Sequence, residues 1–179
     1  KHATTAKVDP KDVLNWRVAA AMWQKKFDVA DKALAEWVAI EPTSPMHKQA
    51  RLDLALARGD DTEAFRLFEE SLKASPIGTR NNLAWLMLAR TKDLPRAISL
   101  ARDEANASKA EHVLNTYAAV AAETGDLQTA VRQGIESMVQ GSRTTPSAAD
   151  WLVFATIAEK LGLRDDAIAA YKKVTPPAR

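Results

Sequence analysis

The 179-residue chain is 46% hydrophobic, carries 25 Lys and Arg against 23 Asp and Glu for a formal charge of +2, and has no cysteine. That composition excludes disulfides, thiol catalysis and cysteine-bound zinc, and no basic stripe exists to neutralise a nucleic-acid backbone. Scarce glycine and abundant alanine favour helices over sheets, and no apolar run approaches the ~20 residues of a membrane-spanning helix.

Residues 1–8 are polar and are expected to fray. The chain starts at Lys1 rather than Met, which fits a trimmed or a processed mature chain and is compatible with earlier removal of any targeting segment. From residue 9 onward, apolar residues recur at helical spacing, as in LNWRVAAAMW and VLNTYAAVAAE. The pattern predicts ten helices, at about 10–24, 28–40, 45–58, 61–74, 79–91, 94–106, 109–123, 127–140, 146–161 and 164–174. Asp9-Pro10, Ser44-Pro45 and Thr145-Pro146 read as an N-cap followed by proline in the first helical turn. Ser108 with Glu111 reads as a capping box.

A buried-looking alanine returns at Ala30, Ala64, Ala97, Ala130 and Ala167, at intervals of 34, 33, 33 and 37 residues. Fixed spacing of this size marks a repeat. Ahead of these alanines stand short breaks such as RGDDTEA and TGDLQTA. Gly59, Gly125 and Gly162 are placed to end one helix in the left-handed conformation. Asp60, Asp93 and Asp126 are placed to cap the next. Each unit therefore reads as helix, tight turn, helix, with the alanine allowing the two helices to approach closely.

These units resemble the tetratricopeptide repeat, whose 34-residue helix hairpin favours small residues and aromatics at fixed offsets. The resemblance spans units at about 11–44, 45–76, 77–110, 111–147 and 148–179. Leu14, Ala30, Leu34 and Pro42 carry it in the first, and Ala64, Phe68 and Pro76 in the second. Leu83 and Ala84 carry it in the third, Leu114, Tyr117, Ala118 and Ala130 in the fourth, and Trp151, Phe154, Ala155, Ala167 and Tyr171 in the fifth. Gly134 stands where an aromatic is expected. Ala97 falls one residue late, which implies a small insertion in the turn of the third unit. QGSRTTPS lengthens the connection before the fifth, which is expected to pack at an altered angle and to serve as the cap. The resemblance implies an all-α fold: a right-handed α-solenoid of about five hairpins, forming a single array over 9–175.

Catalytic chemistry has little to stand on. His2, His47 and His112 are not at metal-ligand spacing and read as solvated or interfacial. Asp60/Asp61, Glu69/Glu70 and Asp165/Asp166 are adjacent pairs, which diverge on a helix and serve as dipole-compensating or solubilising charge. No glycine-rich phosphate loop or serine elbow occurs. The expectation is a non-catalytic protein with no cofactor and no metal.

In the resembled family the first helices of successive hairpins line a concave groove. Transferred in phase, that surface holds Asn15 and Trp16, Gln49 and Asp53, Asn81, Asn82 and Trp85, and Asn115 and Thr116. Asn15, Gln49, Asn81 and Asn115 form a recurring amide row, able to donate to and accept from a peptide backbone. The same side chains are also explained by solvation, and the tryptophans by packing between units. The carboxylate clamp of some family members is not reproduced, because only Lys11 and Asn15 have its spacing. The leading expectation is a protein–protein interaction scaffold that holds a peptide or partner helix in the groove, without nucleic acid or membrane insertion. The alternative is a structural or self-associating segment of a larger protein, a homo-oligomer included. Analogy with bacterial repeat proteins leans towards a periplasmic or exported location, although the cytoplasm is equally compatible with the composition.

Overall fold

The computed structural model describes residues 9–91 and 93–174. The tail expected to fray, His2 and the last residues of the fifth unit lie outside them. Among the described residues there are ten α-helices and no strand. They are α1 (Pro10–Trp23), α2 (Phe27–Ile40), α3 (Pro45–Arg58), α4 (Asp61–Ala74), α5 (Thr79–Leu86), α6 (Leu94–Ala107), α7 (Glu111–Thr124), α8 (Leu127–Gln140), α9 (Ala148–Lys160) and α10 (Arg164–Val174). Each expected helix is present. α1 packs on α2, α5 on α6, α7 on α8 and α9 on α10. The chain forms two compact units, Lys1–Glu70 and Ser71–Arg179.

The repeating alanine does what its spacing implies. Ala30, Ala64, Ala97 and Ala130 are completely buried, and Ala167 nearly so. In the first unit Leu14, Val18 and Ala21 of α1 close on Ala30, Ala33, Leu34 and Trp37 of α2, with Ala50 and Leu54 of α3 completing the cluster. Burying each large side chain of this kind contributes about 1.5–3 kcal/mol. In the second unit Val113 and Leu114 of α7 close on Ala105 of α6.

The turns follow from residue chemistry. Gly59, Gly125 and Gly162 hold φ of +76°, +86° and +75°. Asp60, Asp93 and Asp126 accept from the backbone N–H three residues on, at 3.1, 3.3 and 3.1 Å, and so cap α4, α6 and α8. The first turn has no glycine, and there Lys25 takes the left-handed conformation with φ +57°.

Three local expectations need correction. The extra residue of the third unit sits in the helix, not in the turn. α5 runs directly into a π-helical stretch, Met87–Thr91, whose wider turn takes up one residue without shifting the buried alanines. α9 is capped by Ser147 rather than by Thr145-Pro146: Ser147 and Asp150 form a reciprocal capping box. Finally, the cap of α7 is Ala110, so Ser108 and Glu111 do not form a box; the Ser108 hydroxyl accepts from the Ala110 N–H at 3.3 Å instead.

Gly134 is explained by its neighbours across the helix interface. A Cβ there would lie 3.8 Å from both Phe154 and Val153. The aromatic missing from α8 is thus supplied by α9, which leans into the space that the glycine leaves.

Candidate functional site

α5 begins in a tight turn that a buried acid holds in place. Glu104 of α6, 1% exposed, accepts the backbone N–H of Gly78. Its second oxygen lies 3.7 Å from Arg80. Gly78, at φ +78°, is the N-cap residue of α5. This anchor sets the rotation of α5, which buries Leu83, Ala84 and Asn81 and leaves Asn82 and Trp85 exposed. Asn81 Nδ2 donates to Asn82 Oδ1 at 3.4 Å, while Asn81 Oδ1 is buried without a hydrogen-bond partner.

α7 presents Asn115 and Thr116 to the same side. The Thr116 hydroxyl donates back to the His112 carbonyl at 3.0 Å, so its hydrogen is used within the helix. Asn115 Nδ2 donates to Asp150 Oδ1 of α9 at 3.0 Å. Asp150 is almost fully buried. Arg143, from the lengthened connection, donates to both of its oxygens at 3.2 and 2.9 Å. Ser147 donates to Oδ2 through its backbone N–H at 2.8 Å and its hydroxyl at 2.7 Å. The other arm of Arg143 pairs with Glu111. A side chain at Gly141 would run into that Glu111–Arg143 pair, so a glycine there leaves it room. The extra residues before α9 therefore carry an arginine back to neutralise a buried aspartate.

Together these elements line an open pocket of about 270 Å3 in the second unit. Five of the nine expected residues face it: Asn81, Asn82, Trp85, Asn115 and Thr116. Glu111, His112, Arg143 and Ser147 join them. Sequence reasoning missed Arg143, Glu111 and Glu104. The one available signal was the length of the QGSRTTPS connection. Ser147 points its hydroxyl at a carboxylate as a helix cap, and no hydrogen bond joins it to His112 among the described residues. The pocket thus offers amide groups, an indole face and an ion pair, with no nucleophile aligned on a base.

The other four expected residues lie in the first unit. Gln49 donates to Asp53 at 2.8 Å, one turn apart on α3. Asn15 is half-buried on α1, and Trp16 projects from that helix at 75% exposure. A larger cleft, about 860 Å3, lies among α2, α3 and α4 and is lined by none of the expected residues. Its charges are largely paired, Arg66 with Glu63 and Glu70 and Arg51 with Glu63. His47 lines it as a buried ring set edge-on to Trp37 at 4.7 Å, between α2 and α3, so of the two readings offered for it the interfacial one applies and the solvated one does not. No group of three or more potential metal ligands occurs among the described residues.

No protein-family model matches the chain, and no curated protein is significantly similar to it. Solved structures are similar in fold. A tetratricopeptide repeat protein from Parabacteroides merdae superposes with a TM-score of 0.66 at 12% identity, over 92% of this chain and 65% of its own. The chain thus spans about two thirds of that protein's length. PilW, a widely conserved type IV pilus biogenesis factor, superposes with a TM-score of 0.59 at 14% identity, over 92% of this chain and 91% of its own. The fold is that of tetratricopeptide-type helical repeats, as the periodic alanines and turn residues imply.

Proposed function

We propose that the chain is a non-catalytic protein-interaction scaffold whose second unit holds a short extended segment of a partner protein against α5 and α7. The observation that supports this reading is the convergence of Asn81, Asn82 and Trp85 with Asn115 and Thr116 on one open pocket. A pocket this size accepts one or two side chains rather than a drug-sized ligand, for which pockets run to about 300–1,000 Å3. Trp85, 40% exposed, supplies an apolar wall. The exposed Asn82 amide can both donate to and accept from a peptide backbone. Asn115 contributes less directly than its place in the amide row suggests, because its amine is held by Asp150. The ion pair of Glu111 and Arg143 bounds one side and offers one charge of each sign.

The direct test is binding of peptides selected from a random display library against the 179-residue chain. Asn82→Ala and Trp85→Ala are the informative variants, because both side chains are exposed and neither belongs to the buried Asn115–Asp150–Arg143 network. Each is expected to weaken a selected peptide about tenfold or more while helical circular dichroism stays unchanged. Peptides that bind both variants as tightly as the parent chain would place recognition elsewhere.

A further inference from the structure

α1 carries a second surface, on the opposite side of the helix from its core residues. Val13, Trp16, Ala20 and Trp23 recur at intervals of three, four and three residues, so they share one face about 15 Å long. All four are exposed, Trp16 by 75% and Trp23 by 86%. Their counterparts one hundred residues on, in α7, have a different fate. Val113, Thr116 and Val120 are buried, and Glu123 is half-buried. Val113 packs there on Ala105 of α6, the second helix of the preceding hairpin. In α9, Val153 and Ile157 occupy the places of Trp16 and Ala20 and are buried too. Apart from Thr116, which lines the open pocket, this face is largely buried in α7 and α9, and Val113 and Val153 meet the preceding hairpin there. On α1 it is apolar and uncovered among the described residues. In the α9–α10 hairpin, by contrast, polar groups engage the aromatic side chains: Lys173 lies over the Trp151 ring at 3.8 Å, and the Tyr171 hydroxyl donates to Glu159 at 2.8 Å.

We infer that this face binds a second copy of the chain, α1 against α1, antiparallel about a two-fold axis beside Val18. The order of side-chain sizes is self-complementary under that operation. Trp16 meets the second copy's Ala20, and Trp23 meets its Val13, so each large side chain faces a small one. The charges match as well. Asp9 and Asp12 are exposed at the start of α1, and Lys25 and Lys26 are exposed just past its end. Antiparallel docking brings the acidic end of each helix to the basic end of the other. Parallel docking would oppose like charges. The four tryptophans of such a dimer bury on the order of 600–1,000 Å2, below the roughly 1,200 Å2 at which stable specific interfaces begin, so the association is weak.

Sedimentation velocity across the micromolar range tests this directly. The parent chain is expected to pass from monomer to dimer as concentration rises, and Trp16→Ser with Trp23→Ser to remain monomeric with unchanged circular dichroism. The charge arrangement has its own arm. Asp12→Lys and Lys25→Asp each lower self-association, whereas an equimolar mixture of the two variants restores a dimer, because both cross-pairs then attract. A parent chain that stays monomeric throughout would overturn the inference and leave the face to some other helix. So would a dimer that survives loss of both tryptophans, or a mixture that fails to recover. Peptide binding by the pocket is read separately, since Trp85 and Asn82 belong to the second unit.

Discussion

Helices α1 and α7 are both fourteen residues long, open their hairpins, and align with an offset of one hundred. Yet α7 buries nine residues and α1 three. The difference does not lie in apolar spacing, which is helical in both. It lies in what surrounds them: α7 is packed by α5, α6, α8 and α9, and its polar residues are drawn into internal bonds. Asn115 holds a buried aspartate, whereas Asn15, at the same place in α1, is half-buried and among the described residues makes no hydrogen bond to an acid. A shared pattern sets the helix, and the neighbours decide whether a side chain becomes structure or surface.

The strongest way to break this contrast is to remove the acid that α7 depends on. Asp150→Ala strands the Arg143 guanidinium and the Asn115 amide and removes the reciprocal half of the α9 capping box. It is expected to destabilise the second unit by about 3–5 kcal/mol in chemical denaturation. Asn15→Ala is expected to change stability by no more than about 0.5 kcal/mol. If the two substitutions cost the same, the burial difference has no energetic content.

The turns sharpen the comparison. Gly125 and Asp126 close the α7–α8 hairpin, while Lys25 and Lys26 occupy the same places between α1 and α2. Lys25 is held at positive φ, and Lys26 makes no side-chain cap bond. Lys25→Gly with Lys26→Asp is expected to stabilise the chain by about 1–2 kcal/mol, measured at concentrations where it is monomeric. No gain in thermal midpoint would contradict the account of the turn.

Asp126→Ala should cost about 1 kcal/mol near neutral pH. Hydrogen bonds from the side chain and backbone of Thr129 hold the Asp126 carboxyl below its ordinary value. A carboxyl lowered on folding lends stability above its unfolded pKa, and that stability is lost as pH falls through the folded one. The gap between Asp126→Ala and the parent is therefore expected to be full at neutral pH and to shrink on acidification below the ordinary aspartate range. A gap independent of pH would mean that the carboxylate is not the cap.

Much of this architecture was legible because its determinants are local. Gly59, Gly125 and Asp126 act within a turn, and the alanine period reports how closely two helices of one hairpin approach. What escaped prediction depends on distant partners. The partner of Asp150 is an arginine in a connecting segment, and Glu104 reaches Gly78 across 26 residues of sequence. The late Ala97 announced an extra residue, but a turn and a π-helical stretch absorb one equally well, and only packing chooses. The pocket was half legible for the same reason. Helix phase put Asn81, Asn82, Trp85, Asn115 and Thr116 on faces that line one pocket, yet it does not distinguish an amide that faces solvent from one committed to a buried acid.

The most direct test of the pocket is a nitrogen-15 NMR titration of the chain with a selected peptide, at a protein concentration low enough to keep it monomeric. The account predicts that the indole N–H of Trp85, the side-chain amide of Asn82 and the backbone of Thr116 move together and saturate at one affinity, while the indoles of Trp16 and Trp23 stay in place. Saturating shifts on other surfaces, with Trp85 and Asn82 unmoved, would contradict it.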